Sequence, residues 1–319
     1  MTEPTAPICS LSTMWSQSRF RAEGDDHDDM ASFAEKTASL GFSHIEINYV
    51  IPQSGVDALI GNDHVAVSSV HSPCPRVKAP DGRNSENLNL ADIDEDARRL
   101  AVQYARDSVD TAVRAGCSLL VVHLGGVENA MFEEERRLRK LYDTPGGRDG
   151  EEVEALRRAA IERRRAGAPA YFAQAKRSLA EIAEHAAANG VAIGLENRYH
   201  FSEFPDPDET AELIADYPPH VVGFWLDVGH AEVLERLGFI DHTRWLDELG
   251  DRCIGTHVHD TDGLADHRAP GHGTTDWPHY AAKLPPHIPR IFEINQHIPE
   301  DHVAASIPFL RTVGVLPAS

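Results

Sequence analysis

Short apolar runs bounded by glycine, proline or asparagine alternate with helix-like stretches along the whole chain, and this alternation most limits the folds open to it. Strands are predicted at residues 8–12, 43–50, 65–71, 118–124, 191–197, 221–227, 253–259 and 290–294. Runs of this kind suit parallel strands buried on both faces. Helical spacing is read at 28–40, 94–115, 168–189, 208–216, 243–249, 275–284 and 300–313. Within AKRSLAEIAEHAAANG, Leu179, Ile182, Ala183 and Ala186 recur at helical spacing, and Asn189-Gly190 supplies a stop before the next strand. Eight such strands close a barrel, so the expected fold is α/β, a single (β/α)8 TIM barrel. The stretch 52–62 is too short and irregular to read as a helix, and one unit is expected to be degenerate. With no linker or internal repeat beyond the βα period, residues 1–319 are expected to form one domain, a normal length for this architecture.

Two long connections break the period, both leaving carboxyl ends of strands, where barrel enzymes carry their substrate loops. Residues 72–93 are rich in Pro, Gly and Asn, and residues 131–167 are highly charged around Pro145-Gly146-Gly147. The second, which follows strand four, reads as a helical hairpin over the mouth. Its arginines alternate with glutamates at i,i+4 spacing, the pattern of a solvated face rather than an anion-binding lid.

Composition removes several function classes. The net charge of −21 repels polyanions, so no nucleic-acid partner is expected. No apolar run reaches the roughly 18–20 residues of a membrane span, and residues 1–7 lack a leader's basic and apolar regions. No membrane partner and a cytoplasmic location are expected. The four cysteines, Cys9, Cys74, Cys117 and Cys253, fit neither a metal pattern nor a disulfide framework and read as free thiols.

The last residues of six consecutive predicted strands carry the chemistry. They deliver His71, His123, Glu196, Asp227 with His230 just beyond it, His257 and Glu293 to one rim. Any one alone would pass for a packing residue or, at Asp227, a helix cap. Six together do not, because buried carboxylates need a counter-charge, and a divalent cation supplies it. Alternation places Arg198 on the same side as Glu196, where it can hold substrate oxygen, and turns Asn197 away. The loop after strand seven adds Asp266 and His267, as further ligands or substrate contacts, with Gly271 and Gly273 permitting a tight return. His259, His272 and His279 read as solvated or loop-stabilising.

These landmarks, HSP, VVHLGG, GLEN, DVGH, HVHDTDG with DHRAPGHG, and FEI, span residues 65–294 and together resemble the xylose isomerase-like TIM barrel superfamily. That superfamily includes sugar isomerases and epimerases, inosose dehydratases and the endonuclease IV family. The resemblance implies two kinds of metal site. In the epimerase pattern one cation is held by Glu196, Asp227, His257 and Glu293. In the endonuclease IV pattern three zinc ions also use histidines matching His71, His123, His230 and His267. Ala265 stands where that pattern has an aspartate, with Asp266 one place later, which counts against the third metal.

The expected activity is therefore that of a divalent-metal-dependent sugar or sugar-phosphate isomerase or epimerase, or a related dehydratase. Glu196 and Glu293 would be the acid/base pair, and Arg198 and His230 would bind substrate. The rival is a multinuclear zinc phosphoesterase. Mn, Zn, Co or Mg would serve as the cation, with histidine favouring Zn or Mn; one is expected, and the ligand supply leaves two or three open. The expected partner is a small carbohydrate, and a homo-oligomer is compatible with the sequence.

Overall fold

The apolar runs fold as a closed barrel. The computed structural model describes residues 7–21 and 28–318, so the leader region read above lies, apart from Pro7, outside the described residues. The strands are β1 (Cys9–Ser12), β2 (His44–Ile47), β3 (Ala66–His71), β4 (Leu119–Val122), β5 (Ala192–Glu196), β6 (Val222–Asp227) and β7 (Cys253–His257). Beyond β7, β8 (Asp260–Asp262) and β9 (Ala265–Arg268) form a small antiparallel hairpin, and β10 (Arg290–Phe292) completes the ring of eight. Every barrel ladder is parallel, and β1 pairs with both β2 and β10.

The helices are α1 (Met30–Ser39), α2 (Gln53–Ile60), α3 (Glu95–Ala115), α4 (Glu133–Tyr142), α5 (Glu151–Ala188), α6 (Pro207–Ile214), α7 (Val228–Arg236), α8 (Arg244–Leu249), α9 (Trp277–Lys283) and α10 (Glu300–Thr312). Aspartates start several of them. Asp29 accepts from the amides of Ala31 and Ser32, Asp94 from those of Asp96 and Ala97, and Asp206 forms a capping box with Glu209. Among the described residues no helix is long and apolar enough to cross a membrane.

Three local expectations are corrected. The unit expected to be degenerate contains α2, a short helix whose start has no side-chain cap and whose first turn includes Gly55, which hides it from pattern reading. Between β6 and β7 the expected helix at 243–249 is preceded by α7. Residues 228–234 of α7 are all buried, His230 and Glu232 included, so the polar residues there do not mark out a solvent-facing side. Helix α5 does not begin near residue 168 but runs from Glu151 straight through Pro169. The proline removes one backbone donor, and burial holds the helix on either side: Arg164 below it bonds the Phe201 carbonyl and Glu209, while Ala175, Leu179 and Ile182 above it sit in the core.

The barrel interior is filled by one large side chain set against small ones. Trp225 on β6 is fully buried beside Val121 and Ile291. Its neighbours on β5 and β7 are Gly194 and Gly255, where an added Cβ would lie 2.7 Å from the indole or overlap it outright. Gly255→Ala is therefore expected to lower stability by about 1–3 kcal/mol. Gly250→Ala, whose methyl meets nothing within 4 Å, should cost less than ~1 kcal/mol. Urea unfolding of both variants checks this, and equal losses would contradict the packing account.

Candidate active site

Side chains alternate along each strand, and at the carboxyl end of the barrel this aims Glu196 of β5, Asp227 of β6, His257 of β7 and Glu293 just beyond β10 at one point. Asp227 and His257 lie opposite one another in the β6–β7 ladder. One donor atom from each of the four residues falls within 4.8 Å of the others. His257 Nδ1 stands 3.0 Å from Glu196 Oε1, 3.1 Å from Glu293 Oε2 and 3.6 Å from Asp227 Oδ2.

All four residues are buried. Burial opposes ionisation of Glu196, but His123 and His257 more than offset it and hold the carboxyl well below its usual range. His230 and His259 do the same for Asp227 against its burial. Glu293, equally buried, is brought down to about 2 by His257 and His267. Burial disfavours a charged His257, yet Glu293, Glu46 and Glu196 push its pKa well above the usual imidazole value. Three buried carboxylates thus converge on one nitrogen, an excess of negative charge that a proton only partly balances. Three oxygen donors and one nitrogen donor suit a divalent cation at that point, and its binding would release the His257 proton.

The surrounding bonds orient this set. His257 Nε2 faces both oxygens of Glu46 at 3.2 Å, and Ser69 Oγ donates to Glu46 Oε2 at 2.9 Å. His259, expected to be solvated or loop-stabilising, is fully buried and bonds the loop that carries His267. Its Nδ1 accepts from the His267 amide, which fixes the proton on Nε2, and Nε2 donates to Asp227 at 2.9 Å. Asn197, expected only to turn away, donates to the Asp227 carbonyl at 2.9 Å and accepts from its amide at 2.7 Å. Asn48 Nδ2 donates to Glu293 Oε1 at 3.0 Å.

Sequence reading missed Glu46, Asn48 and Tyr49. The signal for Glu46 was present, since a carboxylate between Ile45 and Ile47 occupies the inward position of a strand whose isoleucines are both buried. Tyr49 packs edge-on against His71 and His123.

The remaining predicted residues surround the same point. His71 Nε2 and His123 Nε2 both face Glu196 Oε2, at 3.2 and 2.7 Å. Burial, with Arg198 and His71 nearby, lowers His123 to about 3 against the opposing pull of Glu196. His230 Nδ1 is 3.0 Å from the Asn197 carbonyl, while its Nε2 faces Asp266 Oδ2 at 3.6 Å. His267 Nδ1 meets Asp266 Oδ1 at 3.0 Å and its Nε2 approaches Glu293 Oε2 at 3.4 Å. Its φ of 53° is a left-handed conformation unusual for a non-glycine residue. Arg198 lies on the Glu196 side as alternation predicted, with Nη1 3.4 Å from Glu196 and Nη2 3.4 Å from Glu203. Of the other histidines, His272 stacks on His302, while His279 is half-buried on α9 against His242. The four cysteines are free. A cleft of about 310 Å³ opens over the cluster, bordered by Tyr49, His123, Arg198, His200, His230 and Asp266.

Helices α4 and α5 form the expected hairpin, and most of its charges pair on the surface, such as Arg137 with Glu152 and Arg163 with Glu128. Glu135 departs from a solvated face. It has no exposed surface and accepts from the Phe201 amide at 3.0 Å and from Arg139 at 2.8 Å, while Arg139 donates to the Tyr199 carbonyl at 2.7 Å. The insertion therefore grips the loop that follows β5.

Residues 34–313 match the family model described as xylose isomerase-like TIM barrel. The chain belongs to that family. Among curated relatives, it is 24% identical over 201 residues to an uncharacterized protein of Methanocaldococcus jannaschii, covering 62% of this chain and 57% of that one. The match thus spans little more than half the relative's length. Solved structures of the same fold include a D-tagatose 3-epimerase-like protein, 20% identical, with a TM-score of 0.66 and 96% of each chain covered. The D-psicose 3-epimerase of Clostridium cellulolyticum H10 is 14% identical, with a TM-score of 0.64 and coverage of 96% of this chain and 99% of that one. The IOLI protein, solved with a bound zinc atom, is 13% identical with a TM-score of 0.59, covering 97% and 98%.

Glu46→Gln removes the acceptor charge behind His257 without changing side-chain size. Metal affinity is expected to fall about 10–100-fold, read by competitive chelator titration. Wild-type affinity in that variant would mean that Glu46 does not support the site.

Proposed function

We propose that this protein is a divalent-metal-dependent isomerase or epimerase of carbohydrates, working by proton transfer at a carbon beside a carbonyl. A related dehydratase would use the same groups, because β-elimination also begins at an acidic C–H. The observation carrying this reading is the convergence of two buried carboxylates, Glu196 and Glu293, on His257 Nδ1, at 3.0 and 3.1 Å. Asp227 and His257 complete the donor set for one cation, with Zn or Mn best suited to its nitrogen ligand. When bound there, the cation would polarise the substrate's oxygens and acidify the neighbouring C–H.

The chain's own residues supply the rest. Glu196 and Glu293 take and return the proton on opposite faces of the carbon, with His71 and His123 facing Glu196 and Asn48 donating to Glu293. Arg198 and His230 hold substrate oxygens at the rim, and Tyr49 closes the pocket beside His71 and His123. Two of the fold relatives are a D-psicose 3-epimerase and a D-tagatose 3-epimerase-like protein, which agrees with this reading.

A second reading, a multinuclear zinc phosphoesterase, is favoured by one observation. His71, Glu196 and His257 form a further donor group, as do His230, Asp266 and His267, each within 4.8 Å. The acidic surface speaks against a duplex-DNA substrate.

Chelation should abolish turnover and lower the melting temperature, because the cation binds only the folded site. Glu293→Gln removes a ligand charge and a proton-transfer group together, and its turnover should fall by at least about 100-fold. Turnover in deuterium oxide should place deuterium on carbon. Labelled oxygen from water in the product, together with metal loss in His123→Ala, would replace this reading with the hydrolase.

A further inference from the structure

A second cleft, of about 270 Å³, adjoins the first and shares Tyr49, His123 and Arg198 with it. It runs toward the connection 72–93, between the ends of β3 and β4, and nothing in the proposed proton transfer uses it. Two buried polar atoms on its lining residues have no partner: Arg198 Nε, a donor, and Glu86 Oε2, an acceptor. The other Glu86 oxygen is held by Arg76 at 3.0 Å, so this carboxylate is anchored rather than free to swing into solvent. Leu88, Leu90, Ala101 and Ala105 supply an apolar wall. A third cleft, of about 330 Å³, continues past Glu86 and Glu203 along the backbone of Gly125 and Gly126.

The geometry points to a binding site for a second sugar unit, so that the substrate is a glycoside or disaccharide whose reacting ring lies over Glu196 and Glu293. This rests on the carbohydrate reading above and narrows it. A sugar ring has apolar C–H faces and hydroxyls that donate and accept, matching an apolar wall with one unpaired donor and one unpaired acceptor. A phosphate fits poorly. Arg198 is the one lysine or arginine among the residues lining the three clefts, it already faces Glu196 and Glu203, and Glu86 adds negative charge. Sugar hydroxyls would take the places of cleft water while keeping its hydrogen bonds.

The test is isothermal titration of the metal-loaded protein with D-fructose, D-glucose, fructose-containing disaccharides such as lactulose and turanose, and D-fructose 6-phosphate. At least one disaccharide is expected to bind ten times more tightly than either monosaccharide. Glu86→Ala and the size-conserving Glu86→Gln should each reduce that preference at least threefold. Equal affinity for mono- and disaccharides, an unchanged preference in both Glu86 variants, or tightest binding of the phosphate would overturn the proposal. Binding of monosaccharides without a disaccharide preference defeats only the second subsite. Absence of any carbohydrate binding defeats the carbohydrate reading itself.

Discussion

The site is governed by the cost of burying like charges. Glu46, Glu196, Asp227 and Glu293 are all shielded from solvent around a single imidazole, His257. A buried carboxylate left without a partner costs several kcal/mol, and removing one partner of a buried pair typically costs about 3–5 kcal/mol. Such a cluster persists only where each oxygen is assigned. Here Ser69 and Asn48 donate to Glu46 and Glu293, His259 donates to Asp227, and His123 and His71 face Glu196. Each of these contacts holds a carboxylate oxygen in place and offsets part of the cost of its burial.

The barrel beneath makes that arrangement rigid. Gly194 and Gly255 lie two residues before Glu196 and His257, on the same inward face, and the Trp225 indole fills the room their missing side chains leave. The indole also meets His257 edge-on, with ring centroids 5.4 Å apart. The floor under the donor set is thus a packed aromatic layer, and the imidazole has packing on one side and Glu46 on another.

The barrel and most of its rim were legible because two periodicities speak directly. Buried parallel strands leave apolar runs, and a charged residue ending such a run stands out, as Glu196, Asp227 and Glu293 do. What escaped was chemistry whose signal is shared with ordinary packing. Glu46 lies between two isoleucines inside an apolar run rather than at its end, and His259, two residues after His257, read as solvated or loop-stabilising. Its role depends on the His267 amide, a contact across the β8–β9 hairpin that no local pattern encodes. Helix α7 was hidden by being too well buried. The helix read from residue 168 is continuous with the charged insertion before it, because packing carries α5 through Pro169.

The mouth is assembled differently from the rim, and the difference separates chemistry from selectivity. Ligand-type side chains come from strand ends, fixed by ladder register. The clefts come from loops fastened to one another: the Val127 amide donates to the Ser202 carbonyl at 2.8 Å, the Phe204 amide to the Gly125 carbonyl at 2.8 Å, and Asn89 bonds both the amide and the carbonyl of Gly126. Glu135 and Arg139 of the hairpin then bind the Tyr199–Phe201 segment from outside. Residues 72–93, the loops after β4 and β5, and the hairpin therefore form one layer, which no single strand end anchors. A change in any of these loops would reshape the clefts while leaving Glu196, Asp227, His257 and Glu293 where the barrel puts them. A fold shared with relatives at 13–20% identity is what that division permits, since the barrel can be kept while the layer above it diverges.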